Sequence, residues 1–508
     1  MSQEVDLLLH NANVVTLDPS QPRDEAVAVR GGRILFVGNR AGASRLGAAR
    51  QFDCQGLTLL PGFHDAHLHF FSLASSLLEV DLNGVASVAE LVSRIKERAG
   101  SILPARWVLG QGYHEFDLRE KRHPTRWELD KVSPEHPVRL AHLTRHAWVL
   151  NSQALALGGI TREQEPPGIG HVERDNDGEP TGLILEPKLD HLLPPMSREG
   201  LREATKRAVR LLLSSGVTSF QDATASNDLA RWRLFRRLKE RGQMPCRATV
   251  MLGWQALSGA VAQGLDARSG DAGLHLGPIK MMLDETGAGV HPSQEELDRI
   301  VLGVHRAGFQ VAIHAIEERA VAAAIGALEK AQAACPRTDA RHRLEHASQC
   351  PPALQERLRR LGAVVASQPP FLYASGDRYR ATVAPEKQRW LYPFGSWHEA
   401  GVPVAGSSDA PVATLNPLLG IYAAATRRSR RGTVFNQEEA LSVHQSLQMY
   451  TLGAAYSVFR EGELGSIAAG KLADFILVDR DPTHVPVEEL KDIRVVKTFI
   501  GGDVAWEG

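Results

Sequence analysis

Between residues 216 and 410 the chain alternates short apolar or β-branched runs with longer stretches whose apolar residues recur every three or four positions. The short runs fall at 216–223, 247–252, 279–283, 309–315, 341–347, 363–368 and 402–410. Such runs read as buried strands, and the periodic stretches between them, Glu295 to Gly308 and Glu318 to Ala334 most clearly, read as helices. Adding the stretch that carries His67 and His69 brings the strands to eight. Eight strands with helical crossovers predict an α/β fold of the (β/α)8 TIM-like barrel type. About 150 residues lie between the first and second strands, far beyond a connecting loop. That spacing predicts an inserted subdomain of about 72–210, set over the barrel mouth where loops carry specificity.

The ends of the chain read differently. Residues 5–16 and 26–37 are strand-like, the latter broken by Gly31-Gly32, and 474–479 and 495–500 are strand-like again, followed by Gly501-Gly502 and 503–506. These predict a small β-sandwich domain built from both termini, 1–60 and 456–508, around a barrel domain of 61–455.

Composition narrows the function. Of 508 residues 43% are hydrophobic and 23% charged, and 58 basic against 59 acidic residues leave a net charge of −1. With no charge run, neither nucleic acid nor an anionic membrane is an expected partner. The four cysteines are scattered and form no Cys-x-x-Cys pair, which favours reduced thiols over a disulfide scaffold. No signal-peptide pattern opens the chain and no apolar run is long enough to span a membrane, so a cytoplasmic protein is expected. A homo-oligomer is left open. Neither a Gly-x-Ser-x-Gly elbow nor a phosphate-binding glycine loop is present, which disfavours serine-hydrolase and nucleotide chemistry.

The chemistry begins at His67-Leu68-His69, behind Pro61-Gly62. On a strand, residues i and i+2 share a face, so two imidazoles can meet one metal. With 20 histidines in the chain, chance alone supplies about 0.8 such pairs. The pair gains meaning from the other strand ends, where barrel enzymes gather functional side chains. Lys280, His314, His346 and Asp409 stand there, and the intervals 280 to 314 and 314 to 346 are 34 and 32 residues, about one β/α unit each. Neutral imidazoles and a carboxylate suit Zn²⁺ or a similar divalent ion, which acidifies a water to a pKa of about 7 and polarises a carbonyl. Asp409 is then the candidate to move the proton, and His346 a candidate to steady the developing oxyanion.

The strings Pro61-Gly62-Phe63-His64-Asp65-Ala66-His67-Leu68-His69, Val311-Ala312-Ile313-His314-Ala315, Arg343-Leu344-Glu345-His346-Ala347, Gly406-Ser407-Ser408-Asp409-Ala410-Pro411 and 465–474 span nearly the whole chain. In that order they resemble the metal-dependent amidohydrolase superfamily, specifically its YtcJ-like branch, which includes N-substituted formamide deformylases. The resemblance implies that His67, His69, Lys280, His314, His346 and Asp409 are metal-site residues for one or two ions. It casts Lys280 as the strand-four lysine that is carboxylated in relatives bridging two metals. It implies hydrolysis of a non-peptide C–N bond, an amide or an N-formyl or N-acyl group, on a small organic substrate. An esterase or lactonase on the same scaffold and a catalytically silent binding homologue are the alternatives.

The chain departs from that family at three places. Glu317-Glu318 stand where Gly-Asp commonly follows the strand-five histidine, Asp284-Glu285-Thr286 where Asp-Gly often follows the lysine, and Gly112-Tyr113-His114-Glu115 where Gly-Trp-Asp-Glu is usual. His142 and His146 are four apart but lack the Glu of a helical zinc motif, and Val138-Arg139-Leu140-Ala141 reads as strand. His146, Tyr113, Glu115, Trp148 and Gln368 are the weaker candidates for lining the substrate pocket.

Overall fold

Eight parallel strands form the centre of the computed structural model, which describes residues 4–286 and 289–508. They are β1 (Phe63–Leu68), β2 (Val217–Asp222), β3 (Arg247–Gly253), β4 (Leu274–Met282), β5 (Val311–Ala315), β6 (Arg343–His346), β7 (Val364–Ser367) and β8 (Val404–Gly406). Each pairs in parallel with the next, in chain order. At the seam between β8 and β1 the C-terminal ends are bridged by two backbone bonds, Asp409 N–H to His67 O (2.8 Å) and His69 N–H to Ala410 O (2.9 Å). The barrel strands are buried almost throughout because helices cover the outside.

The helix over Gln294–Arg306 shows how the sequence pattern becomes packing. Ser293 caps it by accepting from Glu296 N–H, and Leu297, Ile300, Val301 and Val304 bury one stripe at the expected three-and-four spacing. The helix over Glu318–Ala334 buries Val321, Ile325 and Leu328 in the same way.

Three strand expectations need correction, and the first is β8, which spans Val404–Gly406 rather than 402–410. β4 begins at Leu274, five residues before the expected start, and runs through Gly277-Pro278. The proline sits where the pairing with β3 shifts register, a position that needs no ladder N–H. The run 5–16 is two strands rather than one, Glu4–His10 and Asn13–Val15, divided at Asn11 in left-handed backbone (φ 55°). The two halves enter different sheets. One sheet runs Arg33–Gly38, Ala26–Arg30, Glu4–His10, Gly47–Asp53. The other runs Asp503–Glu507, Val495–Ile500, Phe475–Val478, Thr58–Pro61, Asn13–Val15, Arg23–Asp24, and so interleaves both ends of the chain. Leu7, Val27 and Val29 from the first sheet and Val14, Leu59, Phe475 and Phe499 from the second share one apolar cluster. Arg247 at the start of β3 ties the barrel to these strands through a buried two-bond pair with Asp474 (2.5 and 2.8 Å). At Gly62 a Cβ would come within 2.2 Å of Thr218 Oγ1, so the entry to β1 requires glycine.

Residues 71–208 form a second compact unit. Its sheet runs His171–Arg174, Pro180–Leu185, Ala147–Leu150, Val138–His142, Val108–Tyr113, Val80–Asp81. The helix Val88–Gly100, capped by Ser87, packs Val88, Leu91 and Ile95 into this unit's core. No helix among the described residues is long and apolar enough to cross a membrane.

Two buried histidines make the fold acid-sensitive. Burial, reinforced by Arg460 and Arg343, pushes the His64 imidazole down to about 3. Burial, with His305 and Arg337 nearby, does the same to His342, again to about 3. The bonding explains why His342 resists a proton. Val311 N–H donates to its Nδ1 (3.0 Å), its Nε2–H then donates to His305 Nδ1 (2.7 Å), and His305 Nε2–H donates to Cys335 O (2.6 Å). A further proton would find no acceptor. An unfolded histidine titrates near 6.5, so from there down to about 3 the unfolded chain takes up protons that the folded chain refuses. Stability therefore falls as pH falls, by up to about 1.4 kcal/mol per pH unit for each group. In urea unfolding between about pH 6 and 4, His342→Gln should show a slope shallower than wild type by about that amount. An unchanged slope would show that His342 protonates within the fold.

Candidate metal centre

The seam bonds that join β8 to β1 also place the candidate ligands. His67 lies on β1 and His69 one residue past its end, while Asp409 lies three residues past β8 in left-handed backbone (φ 57°). His346 closes β6, again left-handed (φ 73°), with Ala347 N–H bonded to Ala315 O (2.9 Å). A non-glycine residue held there costs on the order of 1–3 kcal/mol, and such strain collects at functional sites. The ligand atoms of His67, His346 and Asp409 lie within 4.8 Å of one another. Asp409 Oδ1 is 3.0 Å from His69 Nε2 and 3.5 Å from His67 Nε2, yet it makes no hydrogen bond of normal geometry.

The outer nitrogen of each ring is engaged, which turns the inner one toward Asp409. His67 Nδ1–H donates to Glu345 Oε2 (2.5 Å), and His346 Nδ1–H donates to Gln368 Oε1 (2.7 Å). Gln368 Nε2 in turn donates to Ser407 Oγ (3.0 Å), which fixes the orientation of its amide. His69 Nδ1 meets Thr224 Oγ1 (3.0 Å). Burial, then the charge of Lys280, pushes the His67 imidazole down to about 3, so His67 Nε2 is a bare lone pair at neutral pH. Burial alone would raise the Asp409 carboxyl, but the neighbouring His69, His67 and His346 rings hold it well below the usual range. Two imidazole nitrogens and a carboxylate oxygen that lie together without bonding, with His69 Nε2 3.0 Å from the same oxygen, are a donor set that fits a zinc-like ion. His69 stays 26% exposed and forms the open side of the cluster.

His314 is the penultimate residue of β5, with its ring 4.4 Å from that of His346, centre to centre. Lys280 lies on β4, and its Nζ is buried without a hydrogen-bond partner. Burial pushes its ammonium down to about 8, against the pull of Glu345 and Asp409.

Sequence reasoning gave no role to Glu345, although it stands one residue before His346. Arg343 and Glu345 are fully buried and joined by two bonds, Nε to Oε1 (2.7 Å) and Nη2 to Oε2 (2.9 Å). Arg343 also donates to Ala66 O (2.9 Å) and to Gln221 Oε1. Burial opposes the Glu345 carboxylate, and Arg343, Lys280 and His67 keep it ionised. The available signal was an Arg and a Glu two apart on a strand otherwise fit for burial, hence on one face.

The remaining candidates lie in the unit of residues 71–208. Tyr113 is buried with its hydroxyl 2.9 Å from His123 Nδ1, and Glu115 Oε2 meets His142 Nε2 at 2.8 Å. Trp148 is buried beneath the Arg139 guanidinium (5.2 Å to the ring centre). His146, with a 69% exposed side chain, pairs with Glu186 at 2.9 Å.

Glu345→Gln keeps the shape but removes the charge that orients His67. Zinc affinity, measured against a chromophoric chelator, should fall about 10- to 100-fold. Unchanged affinity would mean that packing alone orients the ring.

Comparison with known proteins agrees with this geometry. The amidohydrolase family profile matches residues 50–505. The N-substituted formamide deformylase of Arthrobacter pascens is 30% identical over 100% of this chain and 99% of that protein. The YtcJ protein of Bacillus subtilis is 28% identical over 98% and 99%. A crystal structure described as an uncharacterized metal-dependent hydrolase from Pyrococcus horikoshii OT3 superposes with a TM-score of 0.77 at 25% identity, covering 95% of this chain and 99% of that one. With a family match over most of its length and the YtcJ-like motifs in order, the chain belongs to the amidohydrolase family, as a metal-dependent hydrolase acting on carbon–nitrogen bonds.

Proposed function

We propose that this hydrolase cleaves the amide or N-formyl C–N bond of a small organic molecule, with a zinc-class ion held by His67, His69, His346 and Asp409. The observation that carries the reading is the convergence of bare imidazole nitrogens on an unbonded Asp409 oxygen, each ring tethered from behind. Similarity to a formamide deformylase over the full length of both chains supports N-formyl compounds as the first substrates to try. A divalent ion at this position supplies Lewis acidity, lowering the pKa of a water to about 7 and polarising the scissile carbonyl.

The chain's own groups do the rest. Asp409, kept ionised, accepts a proton from the attacking water at a carboxylate oxygen and delivers it to the leaving nitrogen. His346 serves as a ligand rather than an oxyanion donor. Its proton is on Nδ1, held by Gln368, so Nε2 has none to give. His314 borders His346 on the β5 side. Lys280, with a buried amine that loses its proton more readily than an exposed lysine, is suited to take up CO₂ as a carbamate, the anionic form that a metal accepts.

A screen of N-formyl, N-acyl and lactone compounds should show chelator-sensitive turnover of formamides or amides. Turnover of lactones alone would assign ester chemistry instead, and no turnover together with no bound metal would overturn the enzymatic reading. Asp409→Asn should retain metal while kcat falls about 10²- to 10⁴-fold; unchanged kcat would place the proton transfer elsewhere. Native mass spectrometry at neutral pH should show the added mass of one CO₂, absent in Lys280→Arg and lost on acidification. Its absence from metal-loaded wild type would leave Lys280 a plain amine.

A further inference from the structure

Among the rings around Asp409, His69 has the least packing to hold it. His67 and His346 are buried, whereas the His69 side chain stays 26% exposed. A ring open on one side can turn about its Cβ–Cγ bond, so its aim has to come from hydrogen bonds and from the main chain beneath it. The end of β2 supplies both.

The main chain is gripped on either side of His69. Ala223 N–H donates to Leu68 O (2.9 Å), and Phe70 N–H donates to Asp222 Oδ2 (2.8 Å). The buried Phe70 ring stacks on that of Phe220 in β2, with centres 5.3 Å apart and planes 10° from parallel. Between these bonds, His69 N–H reaches Ala410 O across the seam (2.9 Å). Three consecutive residues at the end of β1 are thus fixed.

The same carboxylate holds the side-chain partner. Asp222 Oδ1 accepts from Thr224 N–H (3.1 Å) and from Asn227 Nδ2 (2.7 Å), and Asn227 Nδ2 also donates to Met251 O on β3 (3.0 Å). Asn227 O accepts from Gly253 N–H (2.8 Å), and a Cβ on Gly253 would stand 2.1 Å from Ala225 O, so the loop 223–227 lies against the end of β3. This loop carries Thr224, whose Oγ1 is 3.0 Å from His69 Nδ1. A ring that ligates through Nε2 keeps its proton on Nδ1, and the Thr224 oxygen stands where that proton points.

A turn cap alone does not explain this carboxylate. An Asp that only shaped its own loop would need the bonds to Thr224 and Asn227 and nothing more. Asp222 is buried, and its second oxygen goes to a residue 152 positions earlier in the chain, directly after His69. Three N–H donors shared between two oxygens also call for a carboxylate. An asparagine amide has one acceptor oxygen and would set its own N–H against one of those donors.

We infer, on the reading of His69 as a ligand, that Asp222 is a positioning residue of the candidate metal centre. It fixes at once the main chain that carries His69 and the loop that carries Thr224, and it acts through His69 rather than on the ion. Loss of Asp222 and loss of the Thr224 hydroxyl then damage the same thing, the aim of one ring, and their effects overlap.

The test is the zinc affinity of the folded full chain, measured by competition with a chromophoric chelator. Asp222→Asn and Thr224→Val should each weaken it about 10- to 100-fold, and the double variant should lose little more than the weaker-binding single. Thr224→Ser, which restores the hydroxyl, should bind as wild type does. Asn227→Ala, which withdraws one donor from Asp222 and no atom from His69, should weaken binding in the same direction and takes the place of Asp222→Asn in the cycle where that variant fails to fold. A purely structural role gives lower urea midpoints with unchanged zinc affinity, or losses that add in full in the double variant. Either result would overturn the inference while leaving zinc bound by wild type, whereas a wild type that binds no zinc would overturn the metal reading with it.

Discussion

The buried chain from Arg343 through Glu345 to His67 is the interaction on which the candidate metal centre depends. A guanidinium and a carboxylate with no solvent contact are tolerable only together, since removing one partner strands the other at about 3–5 kcal/mol. Arg343 meets this demand with the Glu345 carboxylate, the Ala66 carbonyl and the Gln221 amide oxygen. Glu345 passes the constraint to His67 Nδ1 and so decides which nitrogen of that ring faces the cluster. The charge pair thus links β6 to β1 inside the barrel and sets a tautomer at the same time.

A second constraint acts on the backbone. Parallel strands reach the same end of a barrel, but the last and first must still be joined there. Here the joint is made by Asp409 N–H and His67 O, and by His69 N–H and Ala410 O. The residues that close the seam are the ones whose side chains form the cluster. Closure of the barrel and assembly of the site are therefore one event, and the left-handed turn at Asp409 is the strain that accompanies it.

Much of this was legible in the sequence because it depends on period and order. Eight apolar runs with helical stretches between most of them admit few topologies other than a barrel, and a barrel brings strand ends together wherever they fall in the chain. His67, His69, His314, His346, Asp409 and Lys280 could be picked out by that rule before any distance was known. Where the reading failed, local signals misled it. The run at 279–283 missed the first part of β4, where proline is tolerated at a register shift that depends on the partner strand. Asn11 gave no sign that it would divide one strand between two sheets, because a left-handed asparagine is chosen by its surroundings.

The sequence by itself determined the strand count, the insertion-sized gap after β1 and the residue types at the strand ends, since these follow from side-chain periodicity and linear spacing. Only the tertiary structure decided the partners. Glu345 behind His67 and Gln368 behind His346 are contacts between residues whose separation in the chain bears no relation to their separation in space. Which nitrogen of each histidine is free depends on those partners, because a hydrogen bond at one ring atom fixes the proton at the other. Linear order carries no record of it.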